Sequence, residues 1–215
     1  MPFMSYEVSV EQAVQNAGRL VKEGGAHGVK IEVGLAQIDR VKAIVDAGIP
    51  VMAHIGFTPQ SVNQLGGYRV QGREKEQADY FVNLAEKLQE AGCFSVLLEM
   101  VSSTLSTRIT SRLDIPTIGI GAGDDCDGQV LVTQDLLGVL DKKVPKFVKQ
   151  YATLFSDIQN AVKQFKSDVE QGDFPKKEHS FEYRPWGVFE NLLDDTFCKV
   201  KRLIVEPHKR LSLQY

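Results

Sequence analysis

Apolar positions along this chain alternate between two periods. Over residues 11–24, Ala13, Val14, Ala17, Leu20 and Val21 recur at helical steps, and Gly24-Gly25 closes the segment. A short apolar run at 29–33 then predicts a strand. Ile38, Val41, Ile44 and Val45 predict a helix over 36–47, stopped by Gly48. Ile49–Ile55 reads as a second strand, and 56–73 as a long loop rich in Gly and Gln. Ala78, Phe81, Val82, Ala85 and Leu88 define a helix over 74–91. Strands are predicted at 95–100, 117–120 and 130–132, with a short helix at 103–113. Phe147, Val148, Tyr151, Phe155, Ile158, Val162 and Phe165 keep helical spacing and predict a helix over 145–170.

Five strands alternating with helices imply parallel βαβ units. An eight-stranded (β/α) barrel takes about 200 to 250 residues. Only about 170 residues follow the pattern here, so the fold class is α/β, an open sheet or an incomplete (β/α)8 TIM barrel with about five of eight strands. After Phe181 the period changes. Cys198 to Val205 alternates apolar and polar residues, as a half-buried antiparallel strand does. The expected organisation is one domain over 1–181 and a short β-rich tail over 182–215.

Where the polar residues fall in the strands carries the chemistry. Lys30 and Glu32 interrupt Val29–Val33, His54 follows Val51-Met52-Ala53, and Glu99 closes Val96-Leu97-Leu98. In parallel α/β folds, ligands bind at the carboxyl ends of the strands. Lys30 and Glu32 are two apart, so they share a face. There they could orient an anionic substrate and hold a metal, or form a structural ion pair. His54 alone suits a core histidine as well as a catalytic one. A desolvated Glu99 would hold its proton more tightly and suit proton transfer; the plain alternative is a carboxylate that caps a helix. Three such positions on successive strands favour a shared polar site.

Bulk properties narrow the class. The 215 residues are 43% hydrophobic and 25% charged, with net charge −3, an ordinary globular composition that points to no nucleic-acid partner. No apolar run reaches the roughly 18 residues of a membrane span, and residues 1–7 lack the layout of a signal peptide. Cys93, Cys126 and Cys198 fit neither a disulfide framework nor a close-spaced zinc site, and they suggest a reducing cytoplasm.

Gly119-Ile120-Gly121-Ala122-Gly123 follows a strand, but Asp124 stands where a dinucleotide fingerprint needs its third glycine. These glycines allow a tight turn or close approach of a ligand or neighbouring strand. Asp124, Asp125 and Asp127 break calcium-loop spacing, because Gly123 holds its first position; they read as a solvated acidic turn.

Several longer segments now add up. Pro2–Glu7, Val29–Glu32, His54–Val62, Gly66–Arg73, Leu98-Glu99, Ile118–Gly123, Asp127–Gln129 and Glu178–Phe181 together resemble the later part of the ketopantoate hydroxymethyltransferase family. The resemblance covers 2–181. It implies a (β/α)8 barrel that moves a hydroxymethyl group from 5,10-methylenetetrahydrofolate to 3-methyl-2-oxobutanoate, through an enolate stabilised by Mg2+. It also implies Glu99 as the base, Lys30 and His54 as substrate-binding residues, Glu32 as a metal ligand, and the Thr58–Gly72 loop as the substrate border. The family's homo-oligomeric state is implied as well.

The chain departs from that pattern. The resemblance implies about eighty further residues before Met1, with three strands and two metal-binding aspartates. Val33 stands where a glycine is usual. One metal carboxylate is therefore expected here, and little activity from this chain alone. Arg184-Pro185-Trp186-Gly187, Lys201-Arg202 and Leu211–Tyr215 resemble the opening of the cupin domain of mannose-1-phosphate guanylyltransferase and mannose-6-phosphate isomerase. The histidine cluster of that family would come later, so the tail is not expected to bind metal or isomerise a sugar. Two other readings remain open: another enolate-forming barrel of the phosphoenolpyruvate or isocitrate-lyase type, and a non-catalytic remnant or interaction module.

Overall fold

The computed structural model describes residues 1–175, 181–194, 196 and 199–210. The chain divides into two compact units, Met1–Leu136 with Lys142–Gln150, and Leu137–Asp141 with Tyr151–Tyr215.

The first unit is built on five parallel strands in sequential order: β1 (Val29–Glu32), β2 (Val51–Gly56), β3 (Ser95–Glu99), β4 (Thr117–Ile120) and β5 (Gly128–Gln129). The count and the parallel sense agree with the sequence pattern. Its helices are α1 (Val10–Lys22), α2 (Ile38–Asp46), the short α3 (Val62–Leu65), α4 (Lys75–Glu90), α5 (Ser103–Thr110) and the single turn α6 (Thr133–Leu136). Ser9 caps α1 by accepting the Gln12 N–H, and Ser102 caps α5 by accepting that of Leu105.

Alternation sorts the strand residues onto two faces. Val29, Ile31, Val51, Ala53, Ile55, Val96 and Leu98 form one face and are buried. They share a core with Ala13 and Ala17 of α1, Val41 and Ile44 of α2, and Leu84, Ala85 and Leu88 of α4. Burying side chains of this size contributes about 1.5–3 kcal/mol each for the larger ones, so this face fixes the register. The opposite face then has no choice but to carry Lys30, Glu32, His54 and Glu99.

Two expected elements shift. The last parallel strand lies at Gly128–Gln129 and not at 130–132. The Asp127 carboxylate accepts the Thr117 N–H at 2.8 Å and the Thr117 hydroxyl at 3.0 Å, which locks this segment beside the start of β4. Those bonds hold the Asp127 carboxyl below its usual range. Asp127 is thus exposed yet tethered, more than a solvated turn residue.

The long helix, α7 (Leu154–Gln171), starts nine residues later than the apolar spacing predicts. Phe147 is used elsewhere. Its ring lies so close to Gly121 that a Cβ there would come within 2.6 Å of it. The Gly119–Gly123 run therefore serves close packing of chain on chain.

The second unit contains α7 and an antiparallel sheet of β6 (Phe181–Arg184), β7 (Gly187–Asp194) and β8 (Lys199–Val205), in the order β6-β7-β8. The alternating pattern in the tail predicts this sheet. Trp186 stacks on Phe189, and Lys201 sits 4.2 Å from the Phe189 ring centre. Among the described residues, no helix is long and apolar enough to cross a membrane.

Candidate functional site

Register brings three of the four polar residues together. Glu32 pairs with His54 across β1 and β2, and Gly56 pairs with Glu99 across β2 and β3. Paired residues in a parallel sheet point the same way, and His54 and Gly56 are two apart, so the set shares one face. His54 Nε2 lies 3.2 Å from Glu99 Oε2, and His54 Nδ1 lies 4.0 Å from Glu32 Oε1. Neither ring nitrogen has a well-directed hydrogen bond, so the 3.2 Å approach to Glu99 is close but off the N–H line. The imidazole is only 1% exposed, which places it between two carboxylates and away from solvent.

Gly56 makes that approach possible. Its φ is +94°, and a Cβ there would lie 2.4 Å from the Glu99 carbonyl oxygen. The Phe57 N–H then donates to that same oxygen at 2.8 Å. Met100 follows with φ 47°, a left-handed conformation rare outside glycine. It turns the chain so that the Met100 carbonyl accepts the Gln71 N–H at 2.8 Å, which pins the 58–72 loop beside Glu99.

Glu32 has an environment of its own. Burial pushes its carboxyl above the usual range; the Gln60 N–H and the charges of His54 and Lys30 pull back, while Glu99 pushes up. Its Oε2 accepts the Gln60 N–H at 2.9 Å. Lys30 is on the same face but exposed, and it is near enough for its charge to act on Glu32.

Glu32 also borders a cavity of about 670 Å³, walled by Gly34, Thr58, Gln60, Gln64, Gln71, Tyr80 and others. Lys30, His54 and Glu99 do not line it. The 58–72 loop contributes several walls, among them Thr58, Gln60, Gln64 and Gln71. Tyr6 and Gln60 belong to the site, yet neither was singled out from the sequence. Gln60 reaches the Glu32 carboxylate through its backbone N–H, which leaves no trace in residue type.

The donor set does not form a magnesium site by itself. Mg2+ requires near-octahedral oxygen coordination. Here one Glu32 oxygen is occupied by Gln60 and Glu99 lies against His54. Among the described residues, no group of three or more His, Cys, Asp or Glu could hold a metal ion. Glu32 alone remains as a single carboxylate for such an ion.

A parallel α/β sheet with an acid–imidazole–acid row at the carboxyl ends of its strands defines a candidate active site of the proton-transfer kind. The model of the family described as ketopantoate hydroxymethyltransferase matches residues 1–177. Proteins named 3-methyl-2-oxobutanoate hydroxymethyltransferase match from Clostridium botulinum (51% identical over 181 residues, 84% of this chain and 66% of the relative) and Moorella thermoacetica (56% over 181 residues, 84% and 67%). A third, from Clostridium novyi, is 50% identical over 197 residues, covering 92% of this chain and 70% of its own. The chain belongs to the ketopantoate hydroxymethyltransferase family, and it spans about two thirds of the length of these relatives. Residues 171–215 match the family described as mannose-6-phosphate isomerase C-terminal.

Proposed function

We propose that this chain acts in hydroxymethyl transfer from 5,10-methylenetetrahydrofolate to 3-methyl-2-oxobutanoate, a step of pantothenate synthesis. With water, the products are 2-dehydropantoate and tetrahydrofolate. The observation that carries the reading is the Glu32–His54–Glu99 row, with Glu99 3.2 Å from the imidazole.

In this reading Glu99 removes the proton from C3 of the keto acid. The C–H pair moves into the C2–C3 bond and the carbonyl electrons onto oxygen, giving an enolate. C3 then forms the new C–C bond to the one-carbon unit, whose two C–N bonds to the folate break with their electron pairs passing to nitrogen. Water supplies the hydroxyl oxygen and, with the proton taken by Glu99, the protons that leave tetrahydrofolate neutral. His54, wedged against Glu99, holds that carboxylate towards the substrate and offers a route for the proton. Lys30, exposed on the same face, binds the substrate carboxylate by charge. A bound magnesium ion would supply Lewis-acid stabilisation of the enolate oxygen. Glu32 is the carboxylate this chain would offer to it.

The reading takes 1–181 as the catalytic domain and 182–215 as an appended tail. It takes the protein as cytoplasmic and homo-oligomeric, acting on small molecules. Turnover by this chain is expected to be slow, because Glu32 stands without the further carboxylates a metal cluster needs. The test is formation of 2-dehydropantoate from keto acid, methylenetetrahydrofolate and Mg2+ by the purified chain. The reading expects slow formation above the protein-free rate, lost in Glu99→Gln. Equal product from wild type and Glu99→Gln would overturn it.

A further inference from the structure

Two residues cover the edge of the sheet beside β1: the Met1 amino group donates to Lys30 O at 2.5 Å, and the Tyr6 hydroxyl meets Glu32. The Val29 N–H donates to Pro50 O at 2.9 Å and that of Val33 to His54 O at 3.1 Å, so the backbone groups of these residues face β2. Alternation turns the backbone groups of Lys30 and Glu32 to the other side. No strand pairs with β1 on that side among the described residues. At Glu32 both groups end on one atom. The Tyr6 hydroxyl accepts the Glu32 N–H at 3.2 Å and faces the Glu32 carbonyl at 3.0 Å, to which it donates. The same proton is shared with Gln60 Oε1, 3.2 Å away, and the Gln60 amide is held at its other end by Nε2 donating to Met1 O at 2.9 Å. Tyr6 is 1% exposed, so water does not reach this junction freely.

Gln60 completes the arrangement. Its backbone N–H donates to Glu32 Oε2 at 2.9 Å. One tyrosine oxygen therefore touches the Glu32 backbone directly, and through Gln60 it bears on the Glu32 carboxylate.

We propose that Tyr6 is a positioning residue for Glu32, fixing its backbone at the sheet edge and, by holding Gln60, the direction of its carboxylate. Glu32 Oε1 is thereby left facing His54 while Oε2 is capped by the Gln60 N–H. Burial keeps the Tyr6 phenol protonated well beyond neutral pH, so it remains a donor throughout the working range. The importance of this clamp for catalysis rests on the proposed function; its existence does not.

Tyr6→Phe removes one oxygen and keeps the ring. Amide hydrogen exchange, read residue by residue by NMR on the full chain, is the test. The Glu32 and Gln60 amides are expected to lose protection by about tenfold or more, while the Leu97 and Leu98 amides of β3 keep theirs. A tyrosine that merely fills the core would leave the Gln60 amide as protected as before, and that result overturns the proposal. Gln60→Ala gives a second arm should Tyr6→Phe fail to fold. It keeps the backbone N–H at position 60 but loses the side-chain contacts to the Tyr6 hydroxyl and the Met1 carbonyl, so that amide should lose at least as much protection as in Tyr6→Phe while the Glu32 amide keeps its own. Retained protection at position 60 would overturn the proposal. Titration with 3-methyl-2-oxobutanoate separates the two claims: absence of binding by the wild type counts against the function, and the exchange pattern still decides the role of Tyr6.

Discussion

His54 Nε2 lies 3.2 Å from Glu99 Oε2, and the ring that makes this contact is 1% exposed. A buried imidazole wedged between two carboxylates separates their charges and limits the positions Glu99 can take. His54→Ala is expected to lower Glu99-dependent proton transfer by about a hundredfold. It should also lower the melting temperature by a few degrees, because the two carboxylates then face each other across a void. Unchanged rates in a folded His54→Ala protein would show that the contact is only packing.

Gly56→Ala tests the backbone side of the same contact. The added Cβ would meet the Glu99 carbonyl at 2.4 Å, at a φ of +94° that alanine resists. The expected cost is about 1–3 kcal/mol of stability, measured by urea unfolding, with Glu99-dependent rates falling in parallel. A neutral effect on both would contradict the role given to Gly56.

Asp127 supplies a pH signature away from the site. Its folded-state acidity lies below the usual 3.8, because it accepts hydrogen bonds from Thr117. A depressed carboxyl stabilises the fold above its unfolded value and loses that contribution as pH falls through the folded one. Asp127→Ala should therefore melt a few degrees below wild type at neutral pH, a modest effect because the group is exposed. The gap should close as pH drops below 3.8. A gap independent of pH would mean that Asp127 acts by shape alone.

The metal prediction follows from the donor count. Calorimetric titration of Mg2+ into the chain without keto acid is expected to show binding weaker than about 1 mM. Tight binding that Glu32→Gln abolishes would show a metal site the described residues do not reveal.

How much of this was legible in the sequence depends on what carried each feature. The two-residue spacing of Lys30 and Glu32, and the ends of the His54 and Glu99 runs, were enough to put four groups on one face, because the opposite faces are uniformly apolar. The distances were not legible. They depend on Gly56 and on the Met100 turn, which bring two strand ends together. Tyr6 and Gln60 escaped for a different reason: one acts on backbone groups and the other through its own backbone, and neither disturbs the hydrophobic pattern. The start of α7 was misplaced because Phe147 keeps helical spacing while its ring packs at Gly121. Periodicity reports which residues prefer burial, and it is silent on which neighbour buries them.

The central claim is that Glu99 removes a proton from C3 of the keto acid. NMR of 3-methyl-2-oxobutanoate in D2O measures this step without the one-carbon donor, by following loss of the C3 proton signal as deuterium enters. The chain should speed this exchange above the buffer rate, and Glu99→Gln should return it to that rate, a fall of about a hundredfold or more in the catalysed part. Exchange as fast in Glu99→Gln as in wild type, or no exchange above buffer from the folded wild-type chain, would contradict the account.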